Sequence, residues 1–245
     1  MSDLHGAPDY FQYRRDAVTF PLADLAELAA KLGAVRSFDG RGDVAWLDSF
    51  ESGLIHWAAV GAPAGYAAVP SILYAEHGGL SAKLTPAGAG ANQVELEHSL
   101  PYRSSGLLGF ESWWMSMGDV DSIVLGLDLY TSGSINTFEA KADIANSRLQ
   151  FRTGALAWST IRSGVTITEK ESMFHRMKFV LDPSNLVYSR FLFNRFEDRD
   201  LTQTPWDQGE TSAEQITLRF QVNASAGVAA EVYLDVVIHT WDEPA

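Results

Sequence analysis

Cysteine is absent from the 245 residues of this chain. Its absence excludes a disulfide scaffold, a thiol nucleophile, an iron–sulfur cluster and any cysteine-ligated zinc site. It leaves the cellular compartment open, because a chain of this length can be secreted without disulfides.

Positive charge is scarce: the chain has 18 Lys and Arg residues against 31 Asp and Glu residues, which gives a formal net charge of −13. The only adjacent basic pair is Arg14-Arg15. Phosphate backbones are bound through clusters of Lys and Arg. We therefore expect no nucleic-acid partner and no attraction to anionic lipid.

Long hydrophobic runs are also missing. No apolar run reaches 18 residues, the length of a membrane-spanning helix, so we expect no membrane insertion. Residues 1–6 lack the basic start and apolar core of a signal peptide. On that basis we expect a cytoplasmic or virion-associated protein rather than a classically secreted one.

One segment near the N-terminus has the signals of a short helix. Thr19 can cap it, Pro21 suits its first turn, and Gly33 suits its C-terminal cap. Leucines recur at helical spacing between these ends, at Leu22, Leu25, Leu28 and Leu32. So short a helix must pack on something. It either covers the edge of the following domain or docks on a partner, so residues 1–38 form an arm through which the protein could form a homo-oligomer.

From about residue 39 onward the pattern becomes one of strands separated by turns. Hydrophobic segments of alternating character recur every 8–14 residues, bounded by Gly, Asn, Asp, Ser or Pro. Helices do not alternate with these strands, which argues against an α/β nucleotide-binding fold. We therefore predict an all-β, two-sheet antiparallel jelly-roll sandwich over residues 39–245, preceded by the N-terminal arm and helix over residues 1–38.

Several of these strands resemble those of concanavalin-A-like jelly rolls, the superfamily of lectins, glucanases and laminin-G-like domains. Trp46-Leu47-Asp48-Ser49-Phe50-Glu51 resembles the opening strand, and Glu231-Val232-Tyr233-Leu234-Asp235 resembles the closing one. Three internal segments, residues 79–84, 108–114 and 174–182, are similar to internal strands of that fold in the same order. The resemblance implies two curved sheets packed face to face, and it does not by itself imply a function.

Catalytic motifs are incomplete. Retaining glucanases of the resembling fold carry three acids on one strand, whereas Glu95-Leu96-Glu97 and Glu169-Lys170-Glu171 each lack the third. The patterns of serine hydrolases, zinc proteases and P-loop enzymes are absent. We therefore expect a protein that is not an enzyme, with a glycoside hydrolase using a non-standard acid pair as an alternative.

A binding surface is predicted from strand alternation. In each of four strands, one row is apolar and the opposite row carries aromatic or charged side chains. If the opposite rows share one face, they offer a ring platform, two phenols, one acid and two guanidinium groups, suited to a polyhydroxylated ligand or a polar protein partner. The predicted ligand-binding residues are Trp113, Asp128, Tyr130, Arg176, Tyr188 and Arg190.

A structural calcium ion is implied by the resemblance alone. Carbohydrate-binding sandwiches of this type often hold one near the opening and closing strands, and the matching acids are Asp48, Glu51 and Asp235. Calcium needs six to eight oxygen ligands, so backbone carbonyls or water would complete the set.

Three functions follow from these patterns. The first is a non-catalytic binding or interaction module, with carbohydrate as its ligand or a protein as its partner. The alternatives are a structural component of a phage, virus-like particle or other large assembly, and the glycoside hydrolase. The loop over residues 201–213, which contains Pro205, Trp206 and Gly209, is long enough to act as a lid or contact arm over the sandwich.

Overall fold

A computed structural model describes residues 41–88, 92–131, 133–155, 157–171, 173–198, 201, 203–209, 214–225 and 229–244. The predicted helix and the predicted association through residues 1–38 lie outside the described residues and stay predictions. Within the described residues, no helix is long and apolar enough to cross a membrane.

Sixteen strands make up the described part of the chain. In chain order they are β1 (Asp43–Asp48), β2 (Ala58–Ala62), β3 (Ala67–Ser71), β4 (Ser81–Thr85), β5 (Asn92–Pro101), β6 (Leu107–Gly118), β7 (Val120–Thr131), β8 (Ser134–Asp143), β9 (Arg148–Arg152), β10 (Trp158–Ser163), β11 (His175–Asp182), β12 (Val187–Phe193), β13 (Phe196–Asp198), β14 (Trp206–Asp207), β15 (Gln215–Ala224) and β16 (Ala230–Glu243).

The strands form two eight-stranded sheets. Sheet one has the order β13-β12-β11-β6-β16-β4-β3, and β1 also pairs with β16. Sheet two has the order β10-β9-β8-β7-β15-β5-β2, and β14 also pairs with β8. The pairings are antiparallel and mostly join strands distant in sequence, such as β16 with β6 and β15 with β5. The predicted all-β sandwich of two antiparallel sheets is confirmed.

One hydrophobic core lies between the sheets. Strand β7 shows how alternation builds it: Ile123, Leu125, Leu127 and Leu129 are fully buried in the core, as the alternation predicts. Each such side chain contributes about 1.5–3 kcal/mol when it is removed from water. Sheet one supplies larger rings to the same core, among them Phe110, Trp114 and Phe179.

The outward sides of the two sheets differ. On sheet one, Met115, Val236 and Ile238 alternate with core residues and yet are fully buried. On sheet two, the outward row of β7 and its neighbours is polar and carries charged side chains of both signs. A polar ligand site is therefore to be sought on sheet two.

Candidate functional site

The six predicted ligand-binding residues do not share one face. Trp113 and Arg176 are cross-strand neighbours on sheet one, with the Arg176 guanidinium 4.1 Å from the ring centroid. Trp113 is only 3% exposed, so its ring is not an open stacking platform. Asp128 and Tyr130 lie on β7, in sheet two. The assumption of a common face is wrong, because alternation assigns a side of a strand but does not assign the strand to a sheet.

A β-bulge separates the other two predicted residues. The register of β12 against β11 shifts between the pairs Val180–Arg190 and Leu181–Tyr188. Tyr188 consequently enters the core, where its hydroxyl accepts from Glu139 N–H at 2.7 Å and lies within donating distance of two carbonyls, those of Glu139 at 3.2 Å and Arg152 at 3.1 Å. Arg190 faces the other way and is buried against Glu243, 2.5 Å from its carboxylate.

The outward side of sheet two holds a buried ionic cluster around Arg219 of β15. Its guanidinium lies 2.7 Å from Asp128 Oδ2, 2.7 Å from Glu139 Oε1 and 3.4 Å from Glu95 Oε2. Arg152 of β9 approaches the second oxygen of Glu139 at 2.6 Å. We call these five residues the Arg219 cluster; together they join β5, β15, β7, β8 and β9 across the sheet.

The strand register explains why this cluster forms. Arg219 is directly opposite Gly126 of β7, and Gly126 is directly opposite Glu139 of β8. Because Gly126 has no side chain, the Arg219 guanidinium can lie over the strand: a Cβ at Gly126 would be 3.0 Å from Arg219 Nη2. Thr137 donates to Asp128 at 2.7 Å, which fixes that carboxylate as well.

Burial and charge set the protonation of the cluster. Burial raises the pKa of Glu95 to about 7, helped by a hydrogen bond with Glu97 and opposed by Arg219. Burial disfavours the charge of Arg219, but Asp128, Glu139 and Glu95 outweigh it and raise the pKa of the guanidinium. The pKa of Tyr130 is raised by burial and by Asp128. The site therefore holds one carboxyl group that titrates near neutral pH beside carboxylates paired with arginine.

Two half-buried tryptophans flank the cluster. Trp158 of β10 lies under the Lys141 ammonium, which is 4.1 Å from its ring centroid. Trp206 of β14 lies against the Arg152 guanidinium at 4.0 Å. Trp206 is opposite Thr137, so the loop that carries β14 lies at the end of this face, and Gln208 also donates to Thr137. These rings offer apolar surface beside the polar groups.

The three acids expected to bind calcium have other partners. Asp48 accepts from Phe50 N–H at 2.7 Å through one oxygen and from Trp57 Nε1–H at 2.9 Å through the other. Glu51 accepts from Gly79 and Leu80 N–H in the loop before β4. No group of three or more His, Cys, Asp or Glu side chains within the described ranges is placed to hold a metal ion.

Asp235 is the acid that best fits a cation. Its Oδ2 accepts from the backbone N–H groups of Glu76 and His77 at 3.0 and 2.8 Å, while its buried Oδ1 has no partner. Burial raises the pKa of Asp235 to about 7, against those two N–H groups and with help from Glu76 and Glu51. The calcium ion predicted at Asp48, Glu51 and Asp235, with backbone carbonyls or water to complete the set, stays a prediction.

Comparison with known proteins identifies the fold. No protein-family model and no curated protein sequence matches the chain. An endo-β-1,4-glucuronan lyase from the fungus Trichoderma reesei is similar with a TM-score of 0.55 at 13% identity, over 81% of this chain and 95% of that one. The cellulose-induced protein Cip1 gives 0.54 at 14% identity, over 80% and 96%. A carbohydrate esterase of the Shiga toxin-encoding bacteriophage phi24B gives 0.52 at 15% identity, over 80% and 95%.

This chain has the concanavalin-A-like jelly-roll fold. Identities below 25% establish the fold and not the activity. The function of this jelly roll must therefore be argued from its own side chains.

Sequence reasoning found part of this site and missed the rest. The alternation of β7 predicts the outward row that carries Asp128 and Tyr130, whereas Glu95-Leu96-Glu97 indicates only an incomplete catalytic motif. Arg219, Trp158 and Trp206 were missed, because their relation to Asp128 depends on which distant strands pair. The sequence does mark Arg219 in one respect: it is the only basic residue of the alternating segment Gln215–Ala224.

Proposed function

We propose that this jelly roll binds carbohydrate on the outward side of sheet two. The observation that carries the proposal is the contiguous row of fixed polar groups of the Arg219 cluster, flanked by the half-buried rings of Trp158 and Trp206. A pyranose ring has hydroxyl groups at its rim and an apolar C–H face, so it needs polar groups and aromatic surface side by side.

The polar groups of the cluster are held in place before any ligand arrives. Arg219 pairs with Asp128 and Glu139, and Arg152 with Glu139, all at 2.6–2.7 Å. Each carboxylate oxygen has two lone pairs, so a sugar hydroxyl can donate to an oxygen that already accepts from an arginine. A site fixed in this way binds with a smaller loss of conformational entropy. The carbohydrate activities named for the glucuronan lyase and the esterase agree with this proposal.

Binding to a panel of polysaccharides tests the proposal. Trp158→Ala and Trp206→Ala should each weaken binding about tenfold, because each removes an aromatic contact of about 1–1.5 kcal/mol. Trp241→Ala is the matched control, since Trp241 is also half-buried beneath a guanidinium, that of Arg103 at 4.6 Å, but belongs to sheet one. Calorimetric titration measures all four proteins, with circular dichroism confirming their fold. Binding that is equally tight in the Trp158 and Trp206 variants, or absent from the wild type, contradicts the proposal.

The glycoside hydrolase alternative is favoured by one observation, the pKa of about 7 at Glu95, which lies beside the carboxylates of Asp128 and Glu139 that pair with Arg219. A glycoside hydrolase needs one carboxyl group that keeps its proton near neutral pH and a second that acts as a carboxylate. Incubation of the protein with the same polysaccharides tests for hydrolysis. Release of reducing ends by the wild type, lost in Glu95→Gln, would make the face an active site. The role in a large assembly has no support among the described residues.

A further inference from the structure

The outward row of β8 carries one cation, Lys141, beside the Arg219 cluster. Lys141 of β8 points outward with its ammonium over the Trp158 ring, and among the described residues no carboxylate forms an ion pair with it. Its flanking neighbours are already engaged: Asp143 pairs with Arg148 at 2.7 Å, and Glu139 pairs with Arg152 and Arg219. Lys141 therefore lies near three arginines, Arg148, Arg152 and Arg219. These arginines already pair with Asp143 and Glu139, the two acids that flank Lys141.

Burial makes this lone charge costly. Lys141 is half-buried, and burial lowers the pKa of its ammonium, as do the charges of Arg148 and Arg152, against the attraction of Asp143 and Glu139. A carboxylate that approaches Lys141 from outside the chain would compensate this charge.

An unsatisfied acceptor lies beside Lys141. Gln150 of β9 is directly opposite Lys141, is 3% exposed, and its buried Oε1 accepts no hydrogen bond. Its Nε2 donates weakly, at 3.5 Å, to Thr160 of β10, an exposed residue. The missing bond to Gln150 Oε1 is one that a sugar hydroxyl can supply.

We propose that Lys141, Gln150, Trp158 and Thr160 form a subsite for an acidic sugar, a pyranose that bears a carboxylate. Trp158 offers the sugar the part of its half-buried ring that the Lys141 ammonium leaves uncovered, Lys141 binds the carboxylate, and Gln150 accepts a hydrogen bond from a hydroxyl. This proposal rests on the proposed carbohydrate function. It adds that the face selects a sugar with a negative charge.

The acidity of the whole protein does not prevent such binding. Glu95 and Glu97 lie on β5, three strands away from β8, which is about 14 Å at the usual strand spacing. The Debye length at physiological salt is about 8 Å. The field at the subsite is consequently set by its near neighbours, Lys141, Arg148 and Arg152 against Glu139 and Asp143, which leave a positive excess.

A pair of polymers that differ only at C6 tests the subsite: a β-1,4-linked glucuronate oligomer and the same oligomer after its carboxylates are reduced to alcohols. Calorimetric titration at pH 7 and low salt should show about tenfold tighter binding of the acidic oligomer. Lys141→Gln should remove this preference while leaving the affinity for the neutral oligomer within about twofold. Lys141→Arg should retain it, because it conserves the charge, and added salt should diminish it.

Each outcome bears on a distinct claim. Equal affinity of the wild type for both oligomers, or an unchanged preference in Lys141→Gln, overturns the acidic subsite and leaves carbohydrate binding intact. Failure of the wild type to bind any polysaccharide overturns the proposed function and the subsite together. If Lys141→Gln loses stability but keeps the preference, the role of Lys141 is limited to packing on Trp158.

Discussion

At the scale of single residues, the buried acid Asp235 should make stability depend on pH. Its pKa in the folded chain, about 7, is above the ordinary value of 3.8 because of burial and of Glu76 and Glu51. A raised pKa means that the folded state holds the proton more tightly. The stabilisation is therefore complete below about pH 4 and is lost as the pH rises through 7.

Asp235→Asn removes this dependence, since the amide remains neutral and its oxygen can still accept from Glu76 and His77 N–H. Relative to the wild type, the variant should gain on the order of 2–4 kcal/mol in the free energy of unfolding between pH 5 and pH 8. Urea denaturation in the presence of EDTA, at several pH values over this range, measures the free energy of unfolding of both proteins. Asp182→Asn is the control: hydrogen bonds from Asn185 and Ser184 lower the pKa of Asp182 despite its burial, so its effect should be constant over that range. A constant effect of Asp235→Asn would refute the assignment.

The residue scale is also where sequence reasoning reached its limit. Alternation correctly placed Asp128 and Tyr130 outward, because the period of a strand is local information. It could not show that Trp113 and Arg176 belong to the other sheet, which depends on pairing between distant strands. It also put Tyr188 on the row of Arg190, since an extra residue at a bulge reverses the faces without a clear mark in the sequence.

At the scale of elements, strands with clear alternation can be predicted from the sequence, and strands without it cannot. Strands β6, β7 and β16 are 12 to 14 residues long and show clear alternation. Strands β2 and β3 lie at the ends of the two sheets, and their five-residue segments AAVGA and AAVPS resemble loop sequence. The two-residue strand β14 carries Trp206 to the candidate site, and only its pairing with β8 identifies it.

Strand β7 allows a test of how the Arg219 cluster is held. Gly126→Val puts side-chain atoms where the Arg219 guanidinium lies, since even a Cβ would be 3.0 Å from Nη2 and 3.1 Å from Cζ. Valine favours strands, so a loss of stability must come from this displacement. Separation of Arg219 from Asp128 and Glu139 leaves buried carboxylates unpaired and should cost about 3–5 kcal/mol.

Urea denaturation and polysaccharide titration of Gly126→Val report stability and binding together. Gly88→Val is the control, because a Cβ at that position meets no atom within 4 Å. We expect the Gly126 variant to lose both stability and affinity and the Gly88 variant to keep both. A Gly126 variant as stable as the wild type would show that the guanidinium does not depend on the glycine.

At the scale of the whole molecule, the two ends of the described chain meet in sheet one. The opening strand β1 pairs with the closing strand β16, and Glu51 and Asp235, which follow or belong to these strands, both bind the loop over residues 76–80. Contacts here hold together segments that are almost two hundred residues apart in sequence. Stabilisation of this junction should therefore raise the stability of the sandwich as a whole.

The predicted calcium ion would act at this junction. Asp235 offers a buried oxygen without a partner, Glu51 adds a second carboxylate, and the net charge of −13 favours a divalent cation. An ion that binds only the folded chain stabilises it by about 2.7 kcal/mol at one hundred times its dissociation constant. The midpoint of thermal unfolding should thus be higher in millimolar calcium than in EDTA, and Asp235→Asn, which loses a charged ligand, should abolish the difference. An unchanged midpoint in the wild type would argue against the ion, and a shift that survives in Asp235→Asn would place it elsewhere.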